Sequence, residues 1–114
     1  REIMEEHGIR SLDDVGFYGL TYKENVDDTR ESPTLQMLEI MKNSLAFGAK
    51  VYDPYVKTRL CENQCIDFEQ FLHGLKLVVV MVGHQHLIER QDRLNHVLVY
   101  DTRSCLTGEH VIHL

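Results

Sequence analysis

The run Leu77-Val78-Val79-Val80-Met81-Val82 decides how this 114-residue chain folds. It is apolar throughout, rich in β-branched side chains, and set between Gly74 and Gly83. Such a run fits a strand covered on both faces, the habit of a central strand in a parallel sheet. Working outward, residues 15–20 (VGFYGL), 49–53 (AKVYD) and 97–101 (VLVYD) have the same short, β-branched or aromatic character. Val111 to His113 is a further strand candidate, and Cys65 with Ile66 forms a minimal edge strand. Helices alternate with these strands. Ser32-Pro33 is a helix start, because serine accepts from free first-turn amides and proline has no amide to lose. Leu35, Leu38, Met41 and Leu45 then trace a stripe that ends at Gly48. Asp67 to Leu72 and Leu87 to Leu94 read as further helices, and Glu2 to Glu6 as a short charged one. The pattern predicts a three-layer α/β/α, Rossmann-like, doubly wound and mostly parallel sheet of about five strands. One domain is expected over residues 1–114, with 1–14 as a connecting helix and loop.

Composition narrows the function. Eighteen acidic and twelve basic residues give a formal charge of -6, which disfavours a broad nucleic-acid or acidic-membrane footprint. The longest apolar run is far shorter than the roughly 20 residues that span a bilayer. Three cysteines, in no disulfide-framework or zinc-ribbon spacing, suit a reducing cytoplasm. The chain begins at Arg1, which suggests a piece of something longer.

Ligands of doubly wound sheets gather at the carboxyl ends of the strands. That rule gathers residues 21–30, 53–55, 83–86 and 102–103 on one rim. Lys23 there offers a compact ammonium and Arg103 a planar fork, both suited to a phosphate or sugar oxygen. The alternative is that both cations pair with neighbouring surface acids. Asp27 and Asp28 fit the positive end of the helix that follows, whereas Arg30 at that end needs another reason: either Glu31 or Asp28 holds it, or it reaches across to a ligand or a second domain. His84 and His86 are spaced to point one way, and His110 and His113 recur later. No HExxH or CxxC accompanies them, so no metal site is expected. Cys61, Cys65 and Cys105 lack the glycine-rich turn and base of a nucleophile, and the absence of GxGxxG leaves independent dinucleotide binding unsupported.

Residues 19–33, GLTYKENVDDTRESP, carry a more specific signal. They resemble the G-L-[AS]-[FY]-K-x-x-x-D-D-x-R-x-S-P signature of the C-terminal domain of the UDP-glucose/GDP-mannose dehydrogenase family. VYDPYV at 51–56, LVVVMVGH at 77–84 and VYDTR at 99–103 follow in the family's order. The resemblance implies NAD-dependent oxidation of a nucleotide-sugar primary alcohol to a carboxylate, through a thiohemiacetal on a cysteine. It assigns Tyr22, Lys23 and Arg103 to the UDP-sugar and Arg30 to NAD. The family's cysteine segment is missing, so no catalytic residue is expected in this chain, and the fragment alone should be inactive. Within the family, Thr21 and the residues after it are most similar to the branch acting on UDP-N-acetyl-D-mannosamine, which makes precursors of surface polysaccharides. UDP-glucose and UDP-N-acetylglucosamine 6-dehydrogenases, or a stand-alone nucleotide-binding module, are the alternatives. The implied partners are the rest of the parent enzyme, as a homodimer through its central region, with no nucleic acid or membrane.

Overall fold

The computed structural model describes residues 8, 14–21, 34, 36, 49–58, 60 and 63–113. Five short strands, β1 (Val15–Tyr18), β2 (Lys50–Tyr52), β3 (Leu77–Val80), β4 (Leu98–Asp101) and β5 (Val111–His113), form one sheet. Their order is β2-β1-β3-β4-β5, and every pairing is parallel. The expected doubly wound architecture is therefore present, and the LVVVMV run supplies its middle strand. Helix α1 (Phe68–Leu72) leads into β3, while α2 (Gln85–Ile88) and a 3-10 turn (Gln91–Leu94) connect β3 to β4.

Strict alternation along the strands sorts the core into two layers. Tyr18, Tyr52, Val78, Val80 and Val99 face a cluster completed by Phe68, Phe71, Leu87, Leu94 and Leu106. Val15, Phe17, Val51 and Leu77 face the other cluster, with Leu20, Ala49 and Val56. Gly16 sits in β1 because of the first layer: a Cβ there would press into Leu75 and lie 2.7 Å from a Phe71 ring carbon. Phe71 is fully buried, and each large side chain so placed contributes about 1.5 to 3 kcal/mol. The glycine that weakens β1 as a sequence thus lets α1 dock on it.

Three details differ from expectation. β3 ends at Val80 rather than Val82, because β1 turns away at Gly19 and the Met81 amide makes the last bond, to the Tyr18 carbonyl at 2.9 Å. Residues 87–94 form two separate turns, since Arg90 leaves helical conformation at φ -120° and ψ 25°. Cys65 and Ile66 make no strand; Gln64 bridges Val51, and Asp67 at once caps α1 through the Glu69 amide. The helix expected from Ser32 and the one at Glu2 to Glu6 lie largely outside the described residues, although Thr34 and Gln36 are helical.

Candidate functional site

The order β2-β1-β3 reverses the direction of chain progression beside β1, which opens a crevice at the carboxyl ends of β1 and β3. Gly19 makes the exit from β1 possible. Its φ is 110°, its amide donates to the Tyr52 carbonyl at 2.8 Å, and a Cβ would lie 2.8 Å from the Val82 amide nitrogen. Beyond it Leu20 and Thr21 are buried, so their backbone needs partners inside the protein.

Asp53, just past β2, supplies them. Its Oδ2 accepts from the Leu20 amide at 2.7 Å, the Thr21 amide at 3.3 Å and His84 Nε2 at 2.8 Å. Its Oδ1 accepts from the Tyr55 amide at 2.8 Å. An oxygen that already accepts from two backbone amides leaves the imidazole nitrogen as the donor. Thr21 Oγ1 lies 3.2 Å from that same nitrogen, and the Tyr55 ring covers His84 at 4.7 Å between centroids.

Asp101, at the end of β4, repeats the device. Its Oδ1 accepts from the Arg103 amide at 2.9 Å and its Oδ2 from the Leu106 amide at 2.8 Å. Ser104, in the left-handed region at φ 55°, completes the turn. Arg103 is exposed, and its Nε donates to the Met81 carbonyl at 2.9 Å, which holds the guanidinium against the end of β3. Its terminal nitrogens have no partner among the described residues. A guanidinium tethered at Nε still presents two parallel N–H groups, the geometry that grips a phosphate or carboxylate.

The two rim histidines have different partners. His84 belongs to the Asp53 network, while His86 Nδ1 meets the Tyr18 hydroxyl at 2.8 Å. Burial, then the Arg90 and His84 charges, push the His86 pKa down. Burial first and Asp53 second push Tyr18 up, so its hydroxyl keeps its proton beside a ring that burial keeps neutral. Among the described residues, no three His, Cys, Asp or Glu side chains converge as metal ligands. Cys65 is buried, and desolvation raises its thiol pKa, which is the opposite of activation.

Of the residues picked from the sequence, Arg103 lies on the rim. Tyr22, Lys23 and Arg30, together with Asp27, Asp28 and Cys61, fall outside the described residues. Thr21, directly before Tyr22, is held beside His84. β1 and β4 are not neighbours, since β3 separates them by about 10 Å in all. The lean of Arg103 over Met81 shortens that gap. Sequence reasoning put Asp53 on the rim without a role and passed over Asp101, although Val-Tyr-Asp occurs twice, at 51–53 and 99–101, each time at the end of a strand. No described helix is long and apolar enough to cross a membrane.

Residues 16–108 match the model of the UDP binding domain of the UDP-glucose/GDP-mannose dehydrogenase family. An NDP-N-acetyl-D-galactosaminuronic acid dehydrogenase from Ralstonia nicotianae is 29% identical over 101 residues, covering 85% of this chain and 24% of the relative. A UDP-N-acetyl-D-mannosamine dehydrogenase from Pyrococcus horikoshii is 32% identical over 84 residues, 73% of this chain and 19% of the relative. The solved Pyrococcus horikoshii UDP-D-ManNAc dehydrogenase superposes with a TM-score of 0.73 at 24% identity, over 98% of this chain and 27% of that one. A GDP-mannose dehydrogenase from Pseudomonas aeruginosa gives 0.71 at 15% identity, over 96% of this chain and 30% of that one. These structural likenesses bear on the fold. The chain spans about a quarter of the length of the relatives it matches.

Proposed function

Because this chain belongs to the UDP-glucose/GDP-mannose dehydrogenase family, as its UDP binding domain, we propose that it is the substrate-binding part of an NAD-dependent UDP-N-acetyl-D-mannosamine 6-dehydrogenase. The parent enzyme oxidises the sugar's primary alcohol to a carboxylate for surface polysaccharide synthesis, in the cytoplasm and as a homodimer through its central region. Tyr22, Lys23 and Arg103 hold the UDP-sugar, and Arg30 reaches NAD. The nucleophile and the main NAD site lie on the rest of the parent enzyme, and residues 1–114 alone do not turn over.

The observation that carries this reading is Arg103: inside the matched region, its amide is fastened to Asp101 and its Nε to the Met81 carbonyl at the end of β3. An arginine kept only for surface pairing needs no such tether, since exposed ion pairs contribute about 0 to 1 kcal/mol. Relatives named as UDP-N-acetyl-D-mannosamine dehydrogenases support the choice of sugar. The Ralstonia relatives favour the galacto epimer as the second reading. NAD supplies the oxidant when bound. The described residues do not form a dinucleotide cradle, because the space at Gly19, where a pyrophosphate would approach, is filled by Val82. Only Arg30 is therefore assigned to NAD.

The test is NAD reduction by the full-length protein with a panel of UDP-sugars. UDP-N-acetyl-D-mannosamine should give the highest kcat/KM. A preference for UDP-glucose, UDP-N-acetylglucosamine or the galacto epimer would reassign the substrate, and no reduction with any UDP-sugar would reject the reading.

A further inference from the structure

Asp53 and His84 are a buried polar pair on the rim, at 2% and 0% exposure, and the substrate assignments leave them without a role. An apolar pair of similar size would fill the same space but would leave the Leu20, Thr21 and Tyr55 amides unpaired. Nor could such a pair tie together the chain beyond β1, the loop after β2 and a side chain beyond β3. Asp53 does so: from the end of β2 it takes the Leu20 and Thr21 amides beyond β1, the Tyr55 amide of its own loop, and His84 beyond β3. His84 Nε2 also lies within reach of the Thr21 hydroxyl, so Thr21 is held by backbone and side chain together. The next two residues in the chain are Tyr22 and Lys23.

We propose that Asp53 and His84 are positioning residues, a buried clasp that sets where the segment bearing Tyr22 and Lys23 leaves the sheet, as Asp101 does for Arg103. The proposal rests on the substrate role given to Lys23 above. The parallel is concrete. In each case the aspartate of a Val-Tyr-Asp strand end accepts backbone amides at or next to the residue that precedes or bears the cation, and each leaves its own side chain away from solvent. The two cations are then referenced to one rigid sheet, the arrangement that keeps a binding constellation within a fraction of an ångström.

Three variants of the full-length protein test this. Asp53→Asn keeps the shape but offers one acceptor oxygen in place of two, so either Tyr55 or the Leu20–Thr21–His84 group loses its partner. Thr21→Val deletes only the hydroxyl, and serves if Asp53→Asn fails to fold. His84→Gln retains an N–H donor and is the conservative variant. Two readouts are taken: hydrogen–deuterium exchange by peptide, and saturation with UDP-N-acetyl-D-mannosamine at saturating NAD. Asp53→Asn and Thr21→Val should speed exchange across residues 19–33 about tenfold or more while 77–82 and 98–101 keep wild-type rates. They should also raise KM for the sugar nucleotide roughly tenfold and lower kcat much less. His84→Gln should lie between these variants and wild type on both readouts. Unchanged exchange at 19–33, exchange raised evenly over the whole domain, or local loosening with an unchanged KM would each overturn the clasp. Wild-type protein inactive on every UDP-sugar rejects the functional reading instead, and the exchange comparison still decides whether the clasp exists.

Discussion

The Tyr18 hydroxyl is hydrogen-bonded to His86 Nδ1 across 2.8 Å, joining β1 to the first turn of α2 inside an aromatic cluster with Tyr52 and Phe68. Burial keeps the tyrosine protonated and the imidazole neutral. The His86 pKa in the folded protein is thus lower than in the unfolded chain, where it is about 6.5. In the window between the two values the unfolded chain binds more protons, so its population grows as pH falls. The stability contributed by His86 is complete above about pH 6.5 and is lost as pH drops through the lowered value. Urea denaturation at a series of pH values should show this loss, and His86→Leu should flatten that part of the profile. Tyr18→Phe should lower stability by about 1 kcal/mol at neutral pH.

Gly19 combines a φ of 110° with a Cβ position 2.8 Å from the Val82 backbone. Backbone cannot yield as a flexible side chain can. Gly19→Ala should therefore destabilise by more than the roughly 1 kcal/mol that reduced unfolded-state freedom could return. Thermal unfolding of the variant checks this, and a melting temperature equal to wild type would mean that the turn at the end of β1 is wrongly described.

Asp101 accepts the half-buried Arg103 amide and the buried Leu106 amide and lies within 3.7 Å of His113 Nε2. Asp101→Asn leaves at least one of those donors poorly paired, at a cost of about 1 to 3 kcal/mol. The turn bearing Arg103 should loosen as well. Denaturant titration measures the first effect, and faster amide exchange over residues 102–106 measures the second.

The fold was legible to the extent that it depends on local pattern. The unbroken LVVVMV run marks a strand buried on both faces, and Val15, Phe17 and their neighbours alternate as a sheet with two packed sides requires. Arg103 could be put on the rim because its place follows from the end of β4 and the parallel topology. Asp53 could not be given its role, since an aspartate before a proline is ordinary turn chemistry until β1 and β3 are brought beside it. The same holds for His84 and His86. Their spacing suggested a shared direction, but Asp53 claims one ring and Tyr18 the other, and both claims come from residues more than thirty positions away. Gly16 looked like a defect in a strand until Phe71 packed against it.

The central claim is that the rim cations of this chain grip a UDP-sugar while Arg30 serves NAD. Steady-state kinetics of the full-length enzyme with Lys23→Ala, Arg103→Ala and Arg30→Ala test it most directly. A charged hydrogen bond contributes about 1.5 to 3 kcal/mol, so the first two variants should each raise KM for the UDP-sugar roughly ten- to a hundredfold. Their KM for NAD should change little, and Arg30→Ala should show the opposite split. Wild-type KM values for the UDP-sugar in both Lys23→Ala and Arg103→Ala would contradict the account.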